Sequence, residues 1–401
     1  MEKKDKTLNV PNLRFPEFSG EWEMCTLGDI TQNFSLRNKD KIQYPMFSVT
    51  NSKGFVPQSE QFEDREMIGE DIKAYKIIRE GDFAYNPARI NVGSIAKYNK
   101  SEPCMISSLY VCFKALPQIN NEWLMQLLKT PKMNFYYNVN GEGGVRVYLF
   151  YPNFARIRTS YPSLVEQQKI ASFLSIIDQR IETQKKIIED LKKLKDAINN
   201  SLHNNINEFQ LFSFNELGNA YSGLTGKSSD DFGSGLPYIS YLSVFRNDIV
   251  TDGPFDCVKV SKTEKQNIVN YGDLLFTLSS ETPSEVGIGA IYLGKTNPLY
   301  LNSFCFGVHL SNQENIYGPY LAYFITSQYF RRTILPFAQG STRYNLMKSD
   351  FMKHKFCFPN IASQKAIHNT LHTLSEKIQN EEVCLNKYTE QKQYLLTRLF
   401  I

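Results

Sequence analysis

The chain has 401 residues, 42 % of them hydrophobic, 13 % aromatic and 21 % charged, with a formal net charge of +4. That length holds two domains and a connector, and so mild a charge excludes capture of an acidic partner by a global field, leaving it to local basic patches. Seven cysteines without a Cys-x-x-Cys spacing argue against a disulfide framework, and the lack of a signal-peptide core or a membrane-length apolar run points to a cytoplasmic protein with no membrane partner.

Residues 1–20 read as an N-terminal arm. A charged tail is followed by Val10-Pro11-Asn12-Leu13-Arg14-Phe15-Pro16-Glu17-Phe18, whose prolines favour an extended course. Residues 21–163 read as a first domain of short β-branched and aromatic runs broken by Gly, Pro, Asn and Asp. The candidate strands are Tyr44 to Thr50, Tyr75 to Ile78, Asp82 to Tyr85, Ser94 to Tyr98 and Leu109 to Lys114, with one helix from Asn121 to Leu128.

Residues 164–206 follow a different period. Ile170, Leu174, Ile177, Ile181, Gln184, Ile188, Leu191, Lys195, Ile198 and Leu202 step by four and three, the seam of a coiled-coil helix. With no Pro or Gly between Glu166 and Asn204, the helix is roughly 60 Å long at 1.5 Å per residue and needs a partner for its apolar stripe. Residues 362–401 supply one, because Ile367, Leu371, Leu374, Ile378, Glu381, Leu385, Tyr388, Lys392, Leu395 and Leu399 repeat the spacing.

Residues 207–361 form a second domain that repeats the first landmark by landmark. Leu27-Gly28-Asp29 answers to Leu217-Gly218-Asn219, Gly81-Asp82 to Gly272-Asp273, Gly143 and Arg146 to Gly340 and Arg343, and Tyr161-Pro162 to Phe358-Pro359. Gln167 with Ile170 matches Gln364 with Ile367. The expected fold is α+β: two similar strand-rich α/β domains separated by two long antiparallel coiled-coil helices, with a pseudo-two-fold axis within one chain. One antiparallel register sets Lys195 against Glu381 and Gln184 against Lys392, so these four polar seam residues are expected to fix the helix register, because a heptad slip would face each with an apolar side chain.

Gly141-Glu142-Gly143-Gly144-Val145-Arg146-Val147-Tyr148 and Gly340-Ser341-Thr342-Arg343-Tyr344-Asn345 are the strongest local candidates for DNA contact. Glycine admits close backbone approach, and an arginine shortly after it can fork onto a phosphate or the O6/N7 edge of guanine. Basic residues follow both copies, Arg156 and Arg158 in the first and Lys348, Lys353 and Lys355 in the second. The alternative is a glycine turn whose Arg pairs with an acid inside its domain. Recurrence at a matched position favours DNA.

Weaker candidates surround these. Tyr85-Asn86-Pro87-Ala88-Arg89 partly matches the Asn/Asp-Pro-Pro-aromatic loop of amino-methyltransferases but lacks the second proline and the aromatic; a turn explains it, with Arg89 and Lys97 as backbone contacts. Gly223-Leu224-Thr225-Gly226-Lys227-Ser228 imitates the end of a P-loop without its first glycine, so it reads as a surface loop touching phosphate through Lys227. His368 and His372 lie one helical turn apart without a third ligand, and Asp82 and Asp273 are turn residues. No metal site and no catalytic constellation emerge.

Two divergent domains each followed by a matched helix, Leu13-Arg14-Phe15-Pro16-Glu17-Phe18, Trp22 to Ile30, Tyr161-Pro162 and the Glu166-Gln167-Gln168-Lys169-Ile170 helix start together resemble the specificity subunit of type I restriction-modification systems. The resemblance covers almost the whole chain. It implies a non-catalytic subunit whose two target-recognition domains read a bipartite, asymmetric site on double-stranded DNA, while the helices set the spacing and hold two methyltransferase subunits. No cofactor is expected on this chain: S-adenosylmethionine would belong to the methyltransferase subunits, and ATP and Mg²⁺ to two restriction (translocase/endonuclease) subunits. The Gly-x-x-Arg positions carry over as DNA contacts; Gly340-Ser341-Thr342-Arg343 matches the usual pattern, whereas Gly143-Gly144-Val145-Arg146 lacks the Ser/Thr. The other readings are a coiled-coil scaffold that binds only proteins and a fused methyltransferase or nuclease.

Overall fold

A computed structural model describes residues 9–61, 72–143, 147–204, 208–311 and 314–401. The chain folds as two compact units, Met1–Lys185 with Val383–Ile401, and Lys186–Glu382. The division therefore falls inside the two long helices, Leu164–Asn204 and Ile361–Arg398, and not at their ends. Each unit takes about half of each helix into its own core.

In the first unit, four antiparallel strands stand in the order Thr31–Phe34, Val111–Ala115, Phe83–Tyr85 and Ile95–Lys97. Side chains alternate across a strand, so Phe83, Tyr85 and Phe113 enter one core while Ala84 and Cys112 enter another. Burial on both faces is why these strands read as short apolar runs. The expected helix is present at Asn121–Leu128, capped by Asn120, whose side chain accepts from Trp123 N–H at 2.9 Å. A second helix, Pro131–Asn140, was not expected: Met133 and Tyr137 are its buried side chains, so its apolar period is faint, and its start is set by the Thr130 cap with Pro131 at the first turn.

Ile170, Leu174, Ile177 and Ile181 of the long helix are buried in this core together with Leu395, Leu396 and Leu399. Lys392 is held by Asp178, and the Arg180 guanidinium lies 5.7 Å from the Tyr388 ring centre, so the two helix segments of this unit run antiparallel. The arm docks here too: Leu13 N–H donates to Arg398 O at 2.9 Å, Arg14 forks onto buried Glu166 at 2.8 and 2.7 Å, and Phe15 meets Phe173 edge-on.

The second unit repeats the plan with Gly218–Ser222, Cys305–Leu310, Leu274–Thr277 and Gly289–Tyr292 antiparallel in that order, and Ile249–Val250 added in parallel at the edge. Leu274, Phe276, Phe306 and Val308 face one core, and Leu275, Ala290 and Cys305 the other. Ile198, Leu202, Ile367 and Leu371 from the long helices pack on the first of these cores, and Lys192 pairs with Glu382 at 2.7 Å.

The repeat extends to single hydrogen bonds. Asp82 Oδ2 accepts from Arg79 N–H and Asp273 Oδ2 from Asn270 N–H, both at 2.8 Å, which makes the two aspartates turn formers. The two seam lysines, however, pair with carboxylates outside the expected set. Lys195 reaches Asp248 at 2.7 Å, Lys392 reaches Asp178, and Glu381 is met by Lys377 on its own helix. Gln184 is buried. A lysine's long stem lets its charge leave an apolar seam for a carboxylate at the margin, which costs less than burying both ions.

Candidate nucleic-acid interface

In the first unit, Glu142 and Tyr148 exchange two backbone hydrogen bonds of 2.8 Å and so close a glycine turn. Gly143 takes φ +111°, a conformation that favours glycine. Gly144 and Arg146 lie outside the described residues. One residue beyond the bridge, Leu149 N–H donates to Pro87 O at 3.0 Å and ties this turn to the Asn86-Pro87-Ala88-Arg89 loop. That loop is an Asx turn, Asn86 Oδ1 accepting from Ala88 N–H at 3.0 Å.

Between the two loops lies a cleft of about 840 Å³, lined by Asn86, Arg89, Leu109, Tyr148 and Phe150 among others. Arg89 is exposed at its edge. The rings of Tyr148 and Phe150 stack at 6.2 Å, and Leu109 stands 78 % exposed. Exposed aromatic faces beside an exposed guanidinium suit nucleic acid better than water. Leu109 is expected from the sequence only as the start of a strand, and Phe150 carries no expectation; the Tyr148-x-Phe150 alternation after a glycine turn was the available signal. Arg156 and Arg158 are exposed as well.

In the second unit, Gly340 ends the strand Ala338–Gln339, which pairs with Tyr344–Leu346, itself paired with Ser279–Ser280. Gly340 has φ +150°, and a Cβ there would stand 2.1 Å from Arg343 O, so the turn requires glycine. Ser341, Thr342 and Arg343 are exposed at the tip, and Tyr344 is half-buried. The Arg343 guanidinium lies 5.3 Å from the ring centre of Phe304, itself 52 % exposed. Leu346 N–H donates to Leu278 O at 2.8 Å, the counterpart of the Leu149–Pro87 bond. Both units thus hang a glycine turn from the loop that follows a central sheet strand.

Two expected contacts are spent inside their domains. Lys97 pairs with Glu122 and is largely shielded. Lys227, 7 % exposed, donates to Glu264 at 2.6 Å and to Lys259 O at 2.6 Å. The P-loop imitation is a packing element: a Cβ on Gly223 would stand 2.0 Å from Asn302 O. In the basic tails, Lys355 pairs with Glu216 at 3.4 Å and Lys348 lies 4.9 Å from the Phe306 ring centre, where burial lowers its pKa. His368 and His372 stack on each other, and among the described residues no group of three His, Cys, Asp or Glu is placed to hold a metal ion. No helix among the described residues is long and apolar enough to cross a membrane.

Comparison with known proteins agrees with this geometry. A family model described as type I restriction modification DNA specificity domain matches twice, over residues 19–193 and 206–388. A protein described as the specificity subunit of the type I restriction enzyme MjaX, from Methanocaldococcus jannaschii, is 24 % identical over 93 % of this chain and 91 % of its own length. Among solved structures, a chain from work on complex assembly and conformational transition of the type I R-M system aligns with a TM-score of 0.60 at 14 % identity, covering 94 % of this chain and 97 % of that one. The type I restriction-modification S subunit from M. genitalium aligns with a TM-score of 0.54 at 14 % identity, covering 98 % and 99 %.

Proposed function

The chain belongs to the family of type I restriction modification DNA specificity domains, two copies of which fill most of its length, and from that premise we propose that it lends sequence specificity to separate enzymes by reading a bipartite, asymmetric site on duplex DNA. Each recognition domain takes one half of the site, and the long helices set the spacing and dock two methyltransferase subunits. One observation carries this reading: the same glycine turn, tied by the same backbone bond at Leu149 and Leu346, recurs on two domains whose exposed side chains differ. A shared scaffold whose loop sequences differ is what two readers of different half-sites need.

The subunit is non-catalytic and holds no cofactor in this proposal. S-adenosylmethionine acts on the methyltransferase subunits, and ATP with Mg²⁺ on two restriction subunits, in the cytoplasm. The experiment is methylation of a random DNA library by this chain alone and with a type I methyltransferase subunit. The chain alone is expected to methylate nothing, and the mixture to methylate adenines only within a two-part motif. Methylation by the chain alone would overturn the proposal, and so would a mixture whose methylation is indifferent to sequence.

A further inference from the structure

The small sheet of the second unit presents two loops at the same end. Ser279 pairs with Asn345 and Ser280 with Tyr344, antiparallel, so extending the register by one residue sets Glu281 opposite Arg343. Both are exposed. The guanidinium rests over Phe304, and Glu281 enters no ion pair among the described residues. Opposite charges on facing loop tips that do not neutralise each other are available to a third party.

The loop after Glu281 is held from beneath. Arg331, half-buried, donates to Ser284 O at 2.6 Å, Val286 O at 2.9 Å and Gly287 O at 2.8 Å. Ser280 Oγ donates to Glu285 Oε2 at 2.6 Å across the same loop. A guanidinium spent on three carbonyls of one surface segment fixes that segment's course, and Glu281, Thr282, Pro283 and Ser284 form its exposed tip.

A carboxylate on a DNA-facing tip is repelled by phosphate, so it fits duplex DNA only where a base offers a donor. In the major groove the donors are the exocyclic amines of cytosine and adenine, and only cytosine is paired with a base, guanine, whose O6 and N7 both accept from arginine. We propose that Arg343 and Glu281 together read one G·C base pair in the half-site of the second domain, with Arg331 as the positioning residue for the loop that carries Glu281. This rests on the DNA-reading function proposed above and assigns part of its specificity.

The test uses the chain complexed with its methyltransferase partner, on DNA randomised across the site. The wild-type motif is expected to contain G·C at a position where Arg343→Ala and Glu281→Ala each cut discrimination about 10- to 100-fold, leaving the other half-site intact as an internal control for folding. Arg331→Lys, which keeps the charge but loses the fork, is expected to blur the same position less severely. The proposal is overturned if the two alanine variants relax different positions, if Glu281→Ala leaves the preference unchanged, or if the losses are uniform over all sequences. A wild-type complex without any sequence preference would instead overturn the DNA-reading function itself.

Discussion

Gln364 repeats, at the start of its own helix, every side-chain hydrogen bond that Gln167 makes. Gln167 Nε2 donates to Pro162 O at 2.9 Å and Gln118 O at 3.2 Å, while its Oε1 accepts from Asn120 N–H at 2.8 Å. Gln364 Nε2 donates to Pro359 O at 2.8 Å and Asn315 O at 2.9 Å, and its Oε1 accepts from Tyr317 N–H at 2.8 Å. Both side chains are fully buried. Each glutamine locks the first turn of a long helix to a loop of the domain preceding it, so the angle at which the helix leaves the domain is set by the same three bonds.

Gln167→Leu and Gln364→Leu are each expected to cost about 3 kcal/mol, because isosteric removal strands one N–H and two carbonyls in the interior. Denaturant unfolding measures the loss. Hydrogen exchange should localise it to Met1–Lys185 with Val383–Ile401 for the first variant, and to Lys186–Glu382 for the second.

Arg14→Ala is expected to destabilise the first unit by about 3 kcal/mol, since Glu166, 2 % exposed, loses both bonds of its fork. Glu166→Gln in the same background should recover part of that, because it removes the stranded charge. A double-mutant cycle on melting data reads the coupling, and strictly additive losses would show that the arm docks without help from the Arg14–Glu166 pair.

Lys97→Ala and Lys227→Ala should leave the salt dependence of DNA binding unchanged, because their charges are consumed by Glu122 and Glu264. Arg89→Ala should lower the slope of log K against log salt by about 0.9, the signature of one lost phosphate contact. Binding titrations at several salt concentrations separate these outcomes.

Stability of the second unit should fall as pH drops below about 6.5, the ordinary histidine value. His203 is buried between Asn199 O at 2.8 Å and Tyr320 Oη at 2.9 Å, and burial lowers its pKa. A depressed folded pKa means the unfolded chain binds the proton first, so the stability present above pH 6.5 is lost as pH falls through the folded value. His203→Gln should show a flatter pH dependence of melting between pH 7 and 5. His368, also lowered by burial, contributes equally to both proteins and drops out of the comparison.

Much of the scaffold was legible in the linear text. Ile170 to Leu202 and Ile367 to Leu399 revealed themselves because a helix repeats its buried face every three or four residues whatever it packs against. The duplication was legible because Gly143 and Gly340 meet backbone demands that few residues satisfy. The Pro131–Asn140 helix was missed because its partly exposed course weakens that period.

The candidate interface was legible only in part. Arg343, Arg89 and Tyr148 stand exposed on loops, as their residue types suggested, but Lys97 and Lys227 looked the same in sequence and point inward to acids on other segments. Leu109 and Phe150 read as ordinary apolar residues until folding left them uncovered around a cleft.

The sequence by itself determined the order of domain and helix, the apolar seams and the positions of the glycine turns, because each depends on local period or local backbone conformation. Only the tertiary structure decided which charges are spent, that Lys195 turns to Asp248 and Lys392 to Asp178, and that Ser280 pairs with Tyr344 beside the Arg343 tip. The physical reason is that a side chain's type sets what it can bind, while its partner is chosen by strands and loops far away in the chain.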